Sequence, residues 1–208
     1  MTLIDISPAI DETIAVWPGD TAYARTMNLD MAAGANLTLS DIRTTVHVGA
    51  HADAPSHYVA AGQTMAERSL HYYVGPCVVI HIENARGRRI TPEDLEGKRV
   101  LAARVLLRTG TFPDPRSFNE DFASLSPGLV DFLHGMGVIT IGIDTPSVDP
   151  FADQVLEAHQ ALARQDMANL EGLVLDHVAE GRYELIALPL KLAGADGSPV
   201  RAVLRTLL

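Results

Sequence analysis

CVVIHI at residues 77–82 is an apolar run with the length of one buried strand. RVLLRT at 104–109 and VITIGI at 138–143 repeat this pattern. Between the runs, Thr91-Pro92 and Ser126-Pro127 each place a capping side chain before a proline, which is typical of the start of a helix. The alternation of strands and helices predicts an α/β fold in which helices cover a parallel or mixed sheet.

Strand-like runs also precede this central part. They are LIDI at 3–6, a stretch around Tyr23–Met31 and LTLSDIRTTVHV at 37–48. Turn signals at Pro18–Asp20 and Ala33–Asn36 separate them. We therefore expect short strands joined by tight turns before the first helix.

The last third of the chain combines one helix with two strands. An amphipathic helix is predicted over about Ala152–Ala168, with one apolar face formed by Val155, Leu156, His159, Leu162 and Ala163. ELIALPL at 184–190 and RAVLRTLL at 201–208 predict the closing strands. No Gly/Ser/Pro-rich linker divides the sequence, so residues 1–208 are expected to form a single domain.

Charge and cysteine content narrow the classes of function. The 208 residues carry a formal net charge of −10, which disfavours binding to a phosphate backbone. No apolar run approaches the roughly 18 to 20 residues of a membrane-spanning helix, and the first residues do not resemble a signal peptide. We therefore expect a cytoplasmic protein that binds neither nucleic acid nor membrane. Cys77 is the only cysteine and is predicted to be a buried strand residue, so imidazole and carboxylate groups must hold any metal.

The residues that indicate chemistry are concentrated in HVGAHADAPSH at 47–57. The spacing His-x₃-His-x-Asp-x₃-His puts these four side chains at odd positions, which share one face of an extended backbone. Gly49 and Pro55 disfavour a helix here. Such a polar stripe could face solvent, but the combination of this spacing with glycine and proline favours a metal site.

A straight strand would keep the first two histidines apart. At about 3.3 Å per residue, His47 and His51 would lie roughly 13 Å from each other, whereas metal ligands lie about 2.0 to 2.2 Å from a zinc ion. We therefore predict a bend at Gly49 and a strand end at Pro55. With that bend, His47, His51 and Asp53 converge on one metal.

Other candidate residues are weaker when taken alone. His57 is better placed as an acid/base group beside the metal than as a fourth ligand. A histidine on an apolar helix face, such as His159, is more often a core residue, and a glutamate before glycine, such as Glu171, is commonly a surface cap. Trp17, in a Pro/Gly turn, is either a packing residue or a face for a substrate ring. Two further candidates for orienting the site follow the run VITIGI, namely Asp144 and Ser147, although Asp144 could equally be a turn residue before Thr145-Pro146.

HVGAHADAPSH resembles the signature of the cyclase-like metal-dependent hydrolase family, His-x-Gly-Thr-His-x-Asp-x-Pro-x-His. The resemblance runs along the whole chain and includes VWPGD at 16–20, GIDTPSVDP at 142–150 and NLE at 169–171. Ala50 replaces the usual threonine, which puts hydrogen bonding behind the ligands in doubt. The resemblance implies an α/β fold with a mixed, partly barrel-like sheet and covering helices, the swivelling β/β/α fold.

The resemblance also implies a binuclear centre in each subunit of a homodimer, with zinc as the metal and manganese as the alternative. The implied ligands are His47, His51 and Asp53 for the first metal, and Asp53, His159 and Glu171 for the second. His57 would be the proton donor and acceptor, and Trp17 would line the substrate pocket.

Within the family, the resemblance is to arylformamidases, which implies hydrolysis of N-formyl-L-kynurenine to L-kynurenine and formate in tryptophan degradation by the kynurenine pathway. Divalent metals suit this reaction because they lower the pKa of a bound water to about 7 and polarise a carbonyl group. His57 can carry the proton, since an unperturbed imidazole has a pKa near 6.5. The alternatives are a related amide or lactam hydrolase, such as an isatin hydrolase, and a non-catalytic metal-binding protein. An α/β-hydrolase mechanism is disfavoured because the sequence has no Gly-x-Ser-x-Gly motif.

Overall fold

The computed structural model describes residues 2–207, so Met1 and Leu208, the two ends of the predicted domain, lie outside the described residues. The strands, in chain order, are β1 Leu3–Asp5, β2 Ala24–Leu29, β3 Leu39–Arg43, β4 His51–Asp53, β5 Val74–His81, β6 Arg89–Ile90, β7 Arg104–Arg108, β8 Ser124–Leu125, β9 Thr140–Ile143, β10 Ala168–Glu171, β11 Gly181–Ile186, β12 Gly197–Pro199 and β13 Val203–Thr206. The α-helices of the described residues are α1 Pro127–Gly135 and α2 Glu157–Arg164.

A curled, mixed sheet organises the protein. Across residues 2–207 it contains nine strands in the order β1-β13-β11-β5-β7-β9-β10-β4-β12. The central strands β5, β7, β9 and β10 run parallel to one another. The strands on both flanks pair antiparallel. The predicted α/β fold with a mixed, partly barrel-like sheet is therefore confirmed.

The three apolar runs that indicated the fold form the middle of this sheet. In β7, Val105 and Leu107 point into the apolar cluster that includes the helices, whereas Leu106 points into the cluster on the opposite face. Both faces of β7 are therefore buried, which explains why its sequence is continuously apolar rather than alternating.

The helix predicted over 152–168 is half as long in the structure. Leu156 adopts a left-handed conformation, with φ of 57°, and α2 begins only after it. Asp166 also has a positive φ, and Ala168 already belongs to β10. Val155 was wrongly assigned to the apolar face, since it is 69% exposed, but His159 and Leu162 are buried as predicted.

Two other local predictions need correction. Thr91 and Asp94 form the expected capping interaction, but the segment that they start is a single 3₁₀ turn, Pro92–Leu95. The strand predicted over 37–48 ends at Arg43, where β3 stops pairing with β2. By contrast, α1 begins after its Ser126 cap and ends at Gly135, as predicted.

Strands β2 and β3 form a two-stranded sheet separate from the main one. Every residue of both strands is exposed, including Met27, Leu29 and Ile42. Among residues 2–207, no helix is both long and apolar enough to cross a membrane.

Candidate metal centre

The predicted metal-binding motif occupies β4 and the turns on either side of it. Gly49 has a φ of 59°, in the left-handed region that favours glycine, and this bend turns His47 back toward β4. After the strand, Pro55 begins a 3₁₀ turn that ends at His57. The predicted bend and the predicted strand end are both confirmed.

The register between β4 and β10 places His51 directly opposite Glu171 on the neighbouring strand. The two strands are antiparallel, and Ala52 lies opposite Leu170. Ala52 and Leu170 belong to an apolar cluster, whereas the ionisable pair faces the other way. Because side chains alternate along strands, one register fixes both sets of contacts.

The five predicted ligand residues meet at this face. His47 Nδ1 lies 2.8 Å from Asp53 Oδ1. His51 Nε2 lies 3.6 Å from Asp53 Oδ1 and 3.3 Å from Glu171 Oε2. His159 Nε2, from α2, lies 3.3 Å from Asp53 Oδ2 and 3.4 Å from Glu171 Oε1. Asp53 is therefore common to two three-residue groups, each compact enough to hold one metal ion.

Two of these histidines are oriented through their second nitrogen. His51 Nδ1 is 2.9 Å from the Gly49 carbonyl oxygen, and His159 Nδ1 is 2.8 Å from Asp149 Oδ2. Both acceptors favour a proton on Nδ1, and they direct each Nε2 toward the carboxylates of the cluster. Metal-binding histidines characteristically use such partners to fix the ring.

Asp149 also fixes the start of α2. Its carboxylate accepts the backbone N–H groups of Ala158 and His159, at 2.9 and 3.0 Å. The Arg89 guanidinium donates to the same carboxylate at 2.8 Å. A buried carboxylate therefore couples the position of the helix to the orientation of the His159 ring.

Asn169 bridges the two carboxylates of the cluster. Its Nδ2 atom donates to Asp53 Oδ2 at 2.7 Å and to Glu171 Oε1 at 2.9 Å. The side chain is fully buried, and its Oδ1 atom has no hydrogen-bond partner among the described residues. Asn169 therefore holds the carboxylates in place without adding a charge.

The histidines and carboxylates of the cluster shift one another's pKa values in opposite directions. Burial would lower the pKa of His47, but the Asp53 and Asp196 carboxylates outweigh it and raise that pKa to about 9. Burial likewise opposes protonation of His159, and Asp149, Asp53 and Glu171 raise its pKa well above the usual range. Burial would raise the pKa of Asp53, but the surrounding histidines lower it.

The donor set fits a divalent metal ion. Ligand bonds of about 2.0 to 2.2 Å in a tetrahedron place neighbouring ligand atoms roughly 3.3 to 3.6 Å apart. Within the two three-residue groups, the His47–Asp53 separation is shorter, at 2.8 Å, but three other nitrogen–oxygen separations, at 3.3, 3.4 and 3.6 Å, lie in this range. These three are longer than good hydrogen bonds. Imidazole and carboxylate donors are also ligands that zinc and manganese accept.

A cavity of about 670 Å³ leads to this cluster, and His47, His51, His57, His159 and Glu171 contribute to its lining. Trp17, Phe118 and Phe151 form part of its wall, with ring centroids 5.0 Å apart for Trp17–Phe151 and 5.5 Å for Trp17–Phe118. Trp17 is thus both a packing residue and a pocket residue. The cavity offers an aromatic wall above a polar floor.

Asp144 and Ser147 also line the cavity, but their polar atoms have partners within the protein. Asp144 accepts hydrogen bonds from the Thr109 side chain and from the backbone N–H groups of Thr109 and Gly110, at 2.6 to 2.8 Å. The Ser147 hydroxyl accepts the backbone N–H of Asp149 at 3.1 Å. These contacts stabilise the loops that follow β7 and β9.

A scan against protein-family models matches residues 4–150 to the family described as putative cyclase. The match covers well over half of the chain and contains the complete motif at 47–57. The chain belongs to the cyclase family.

Proteins named kynurenine formamidase are similar in sequence to this cyclase-family chain over almost its full length. The protein of that name from Delftia acidovorans is 46% identical over 206 residues, which are 99% of this chain and 98% of the relative. The one from Bordetella petrii is 44% identical over the same shares of both chains.

Solved structures show the same cyclase-family fold. A potential metal-dependent hydrolase with cyclase activity superposes with a TM-score of 0.84 at 29% identity, covering 98% of this chain and 96% of the other. Isatin hydrolase A from Labrenzia aggregata gives a TM-score of 0.84 at 23% identity, covering 99% and 94%. The latter likeness shows the fold alone.

The cyclase-family motif did not contain every residue that shapes the site. Asp149 and Asn169 fell within stretches that supported the resemblance, yet no role was predicted for them. Asp196, which lies 3.2 Å from His57 Nδ1, was missed altogether. It stands in Ala-Asp-Gly, a common turn sequence, so its neighbourhood carries no signal of chemistry.

Proposed function

We propose that the protein is a metal-dependent arylformamidase that hydrolyses N-formyl-L-kynurenine to L-kynurenine and formate. The observation that carries the proposal is the buried cluster of three histidines and two carboxylates beneath an aromatic pocket. The chain containing it shares 44–46% identity, over almost its full length, with proteins named kynurenine formamidase. Both the site and the relatives support amide hydrolysis.

The proposed metal ligands divide into two sets that share Asp53. His47, His51 and Asp53 would hold one ion, and Asp53, His159 and Glu171 a second. We propose zinc as the metal and manganese as the alternative. When bound, a divalent ion supplies Lewis-acid chemistry, because it lowers the pKa of water and polarises a carbonyl group.

His57 is the proposed acid/base group. It lies beside the cluster rather than within it, with its ring centroid 4.2 Å from that of His47. Its imidazole would accept a proton from water as the water oxygen adds to the formyl carbon. It would then donate that proton to the aniline nitrogen as the carbon–nitrogen bond breaks. The products are formate and a free aryl amine.

Trp17 is proposed to contact the aromatic ring of the substrate. Its indole lies in the cavity wall and contacts both Phe118 and Phe151, which also contact each other. Tilted and edge-to-face contacts of this kind already stabilise the cluster, and an aryl formamide could extend the same packing. This places the ring on the wall and the formyl group toward the polar floor.

The exposed strands β2 and β3 support assembly as a homodimer. A two-stranded sheet is marginally stable on its own, and this one exposes apolar side chains, including Leu29 and Ile42. A second copy of the chain would cover them. Light scattering of the purified protein should give twice the mass of the chain, and a monomer would contradict this assignment.

Hydrolysis of N-formyl-L-kynurenine should be measured on the purified protein as isolated, after chelation and after zinc is restored. The proposal expects activity that chelation removes and zinc recovers. Isatin serves as the comparison substrate, because a higher kcat/KM for this lactam would replace the proposed function with the alternative one. Metal-loaded protein that hydrolyses neither compound would favour a non-catalytic metal-binding protein.

A further inference from the structure

Asp196 places one carboxylate oxygen between two histidines. Its Oδ2 atom is 3.0 Å from His47 Nε2 and 3.2 Å from His57 Nδ1. The two imidazole rings lie against each other, with centroids 4.2 Å apart and planes inclined by 39°. One acceptor therefore faces both a proposed metal ligand and the proposed acid/base group.

The backbone around Asp196 fixes the position of this carboxylate. The Asp196 carbonyl oxygen accepts the N–H of Ala54 at 2.8 Å, and Gly197 pairs with Asp53 in the β12–β4 ladder. The preceding carbonyl, of Ala195, accepts the N–H of Met65 at 2.8 Å. The turn that carries Asp196 is thus tied to the strand that carries Asp53, although the Asp196 side chain is itself half-exposed.

The next residue makes room for the His47 ring. A β-carbon on Gly197 would lie 2.7 Å from Cε1 of His47, which is closer than real β-carbons approach another atom. Gly197 does not have a positive φ, so its backbone conformation does not require glycine. Asp196 supplies an acceptor for the ring and Gly197 supplies the space. These are two independent signs that this turn is shaped around His47.

The shared acceptor determines where the ring protons lie. A carboxylate can only accept, so His47 Nε2 and His57 Nδ1 both carry hydrogen. For His47, the second nitrogen, Nδ1, faces the Asp53 carboxylate at 2.8 Å and carries hydrogen by the same rule, so two carboxylates fix the orientation of this ring. For His57, a proton on Nδ1 leaves Nε2 as the acceptor nitrogen, and the described residues provide no hydrogen-bond partner for it. His57 lines the cavity, so that nitrogen is available to a bound molecule.

We propose that Asp196 is a positioning residue that fixes the ring orientations of His47 and His57 together and the tautomer of His57, so that His57 presents Nε2 to the substrate. The link to catalysis rests on the proposed function, whereas the tautomer assignment rests on the geometry alone. A competing interpretation exists, because His47, His57 and Asp196 are also close enough to hold a metal ion themselves.

The decisive experiment compares zinc-loaded native protein with Asp196→Ala by ¹⁵N NMR of the histidine rings. The His57 signals are identified by their loss in His57→Ala. The native protein should show His57 protonated at Nδ1, and Asp196→Ala should show both tautomers. In parallel, kcat should fall about tenfold to a hundredfold, with KM changed less than about threefold, since the effect acts on proton transfer.

Two further variants make the comparison specific. Asp196→Asn retains an oxygen that can accept from both rings, so it should recover much of the lost kcat and the native tautomer. Asp121→Ala is the matched control, because Asp121 is a similarly exposed aspartate that pairs with Arg86 and does not line the cavity. It should leave both the tautomer and kcat unchanged.

Unchanged His57 tautomers in Asp196→Ala would overturn the proposal. Loss of one zinc ion per subunit in that variant, measured at saturating zinc, would overturn it in favour of the competing metal site. The NMR comparison does not depend on turnover. If the native enzyme leaves N-formyl-L-kynurenine intact, the proposed function fails while the spectra still decide the assignment of Asp196.

Discussion

Gly172 approaches Gly49 so closely that a β-carbon on Gly172 would overlap the Gly49 carbonyl group. The same carbonyl oxygen accepts the hydrogen bond from His51 Nδ1. Both glycines have positive φ values, of 63° and 59°. The backbone that orients a proposed ligand is therefore held in place by a glycine 123 residues later in the chain, just beyond Glu171.

Gly172→Ala should destabilise the protein and weaken metal binding together. The new methyl group must push the Gly49 carbonyl away, and alanine also adopts a positive φ at a cost of about 1 kcal/mol or more. We expect a loss of about 2 kcal/mol or more in the free energy of unfolding, measured by urea denaturation of metal-free protein.

Gly194→Ala is the control for this effect. Gly194 also has a positive φ, but a β-carbon there would meet no atom within 4 Å. Gly194→Ala should therefore lose only the free energy that alanine costs at a positive φ, and it should retain native zinc affinity. Equal losses in the two variants would show that the contact with Gly49 is unimportant.

His57→Ala should abolish most turnover without emptying the site. The side chain is exposed and lies outside both proposed ligand sets, so zinc content should stay at the native level. Removal of a general acid/base group lowers kcat by about 10²-fold to 10⁴-fold. Steady-state kinetics and zinc analysis on the same sample test this, and a variant that loses zinc would reassign His57 as a ligand.

Asp149→Asn should weaken binding of the metal assigned to His159. An amide has one acceptor oxygen, whereas the native carboxylate serves the His159 ring, two backbone N–H groups and Arg89. Loss of such a partner behind a ligand typically costs 10-fold to 100-fold in metal affinity. Competition with a fluorescent chelator measures this change.

Asp131→Asn provides the comparison for Asp149→Asn. Asp131 lies on α1 and accepts only an exposed hydrogen bond from Gln165. Its replacement should leave zinc affinity unchanged. Native affinity in Asp149→Asn as well would mean that His159 needs no support from that carboxylate.

The stability of the protein should fall at high pH through Cys77. Burial raises the pKa of this thiol to about 12, compared with about 8.5 in an unfolded chain. Between these values the unfolded state loses the thiol proton first, so stability decreases by about 1.4 kcal/mol per pH unit above pH 9 from this group.

Cys77→Ala isolates that contribution, because other groups titrate equally in both proteins. The difference in unfolding free energy between native protein and variant should shrink from pH 8 to pH 10. A difference that stays constant would mean that the thiolate forms as readily in the folded state. Native Cys77 should also resist thiol reagents until the protein unfolds.

The cavity should discriminate against anionic aryl formamides. The described lining contains four aspartates outside the proposed ligand sets and no lysine or arginine: Asp20, Asp144, Asp153 and Asp176. Asp153 and Asp176 pair with Arg89 and Arg108 outside the lining, at 2.5 and 3.4 Å, whereas Asp20 and Asp144 have no such cationic partner among the described residues. The remaining negative charge favours a cationic substituent and repels an anionic one. N-formylanthranilate should therefore show a kcat/KM at least about tenfold below that of N-formylkynuramine, and the gap should narrow at high salt. Equal values at low salt would contradict this electrostatic selection.

The sequence predicted the centre of the fold and the core of the site because both are encoded locally. Continuous apolar runs mark doubly buried strands, and Gly49 and Pro55 mark the bend and the end of the strand at the motif. The link between this motif and Glu171 was available only through resemblance, because strand register is a long-range property. The position opposite His51 cannot be inferred from spacing.

The errors arose at a side-chain turn and at a strand that only its neighbour stabilises. Asp153 accepts the N–H groups of Val155 and Leu156, so it forms a turn where periodicity indicated a helix. β12 escaped prediction because its sequence, Gly-Ser-Pro, lacks any preference for a strand. Strand β12 forms because it pairs with the otherwise free edge of β4, and this pairing places Asp196 next to His57.

The place of β4 in the sheet sets a temporal order for maturation. β4 is complete at residue 53, but its two neighbours, β10 and β12, begin at residues 168 and 197. A nascent chain emerging from the ribosome therefore carries the histidine motif for most of its synthesis with neither neighbour available. The second proposed ligand set needs Glu171 from β10, so it can form only after that strand has been translated and docked, and we expect a metal at this set to be inserted late in synthesis or after it.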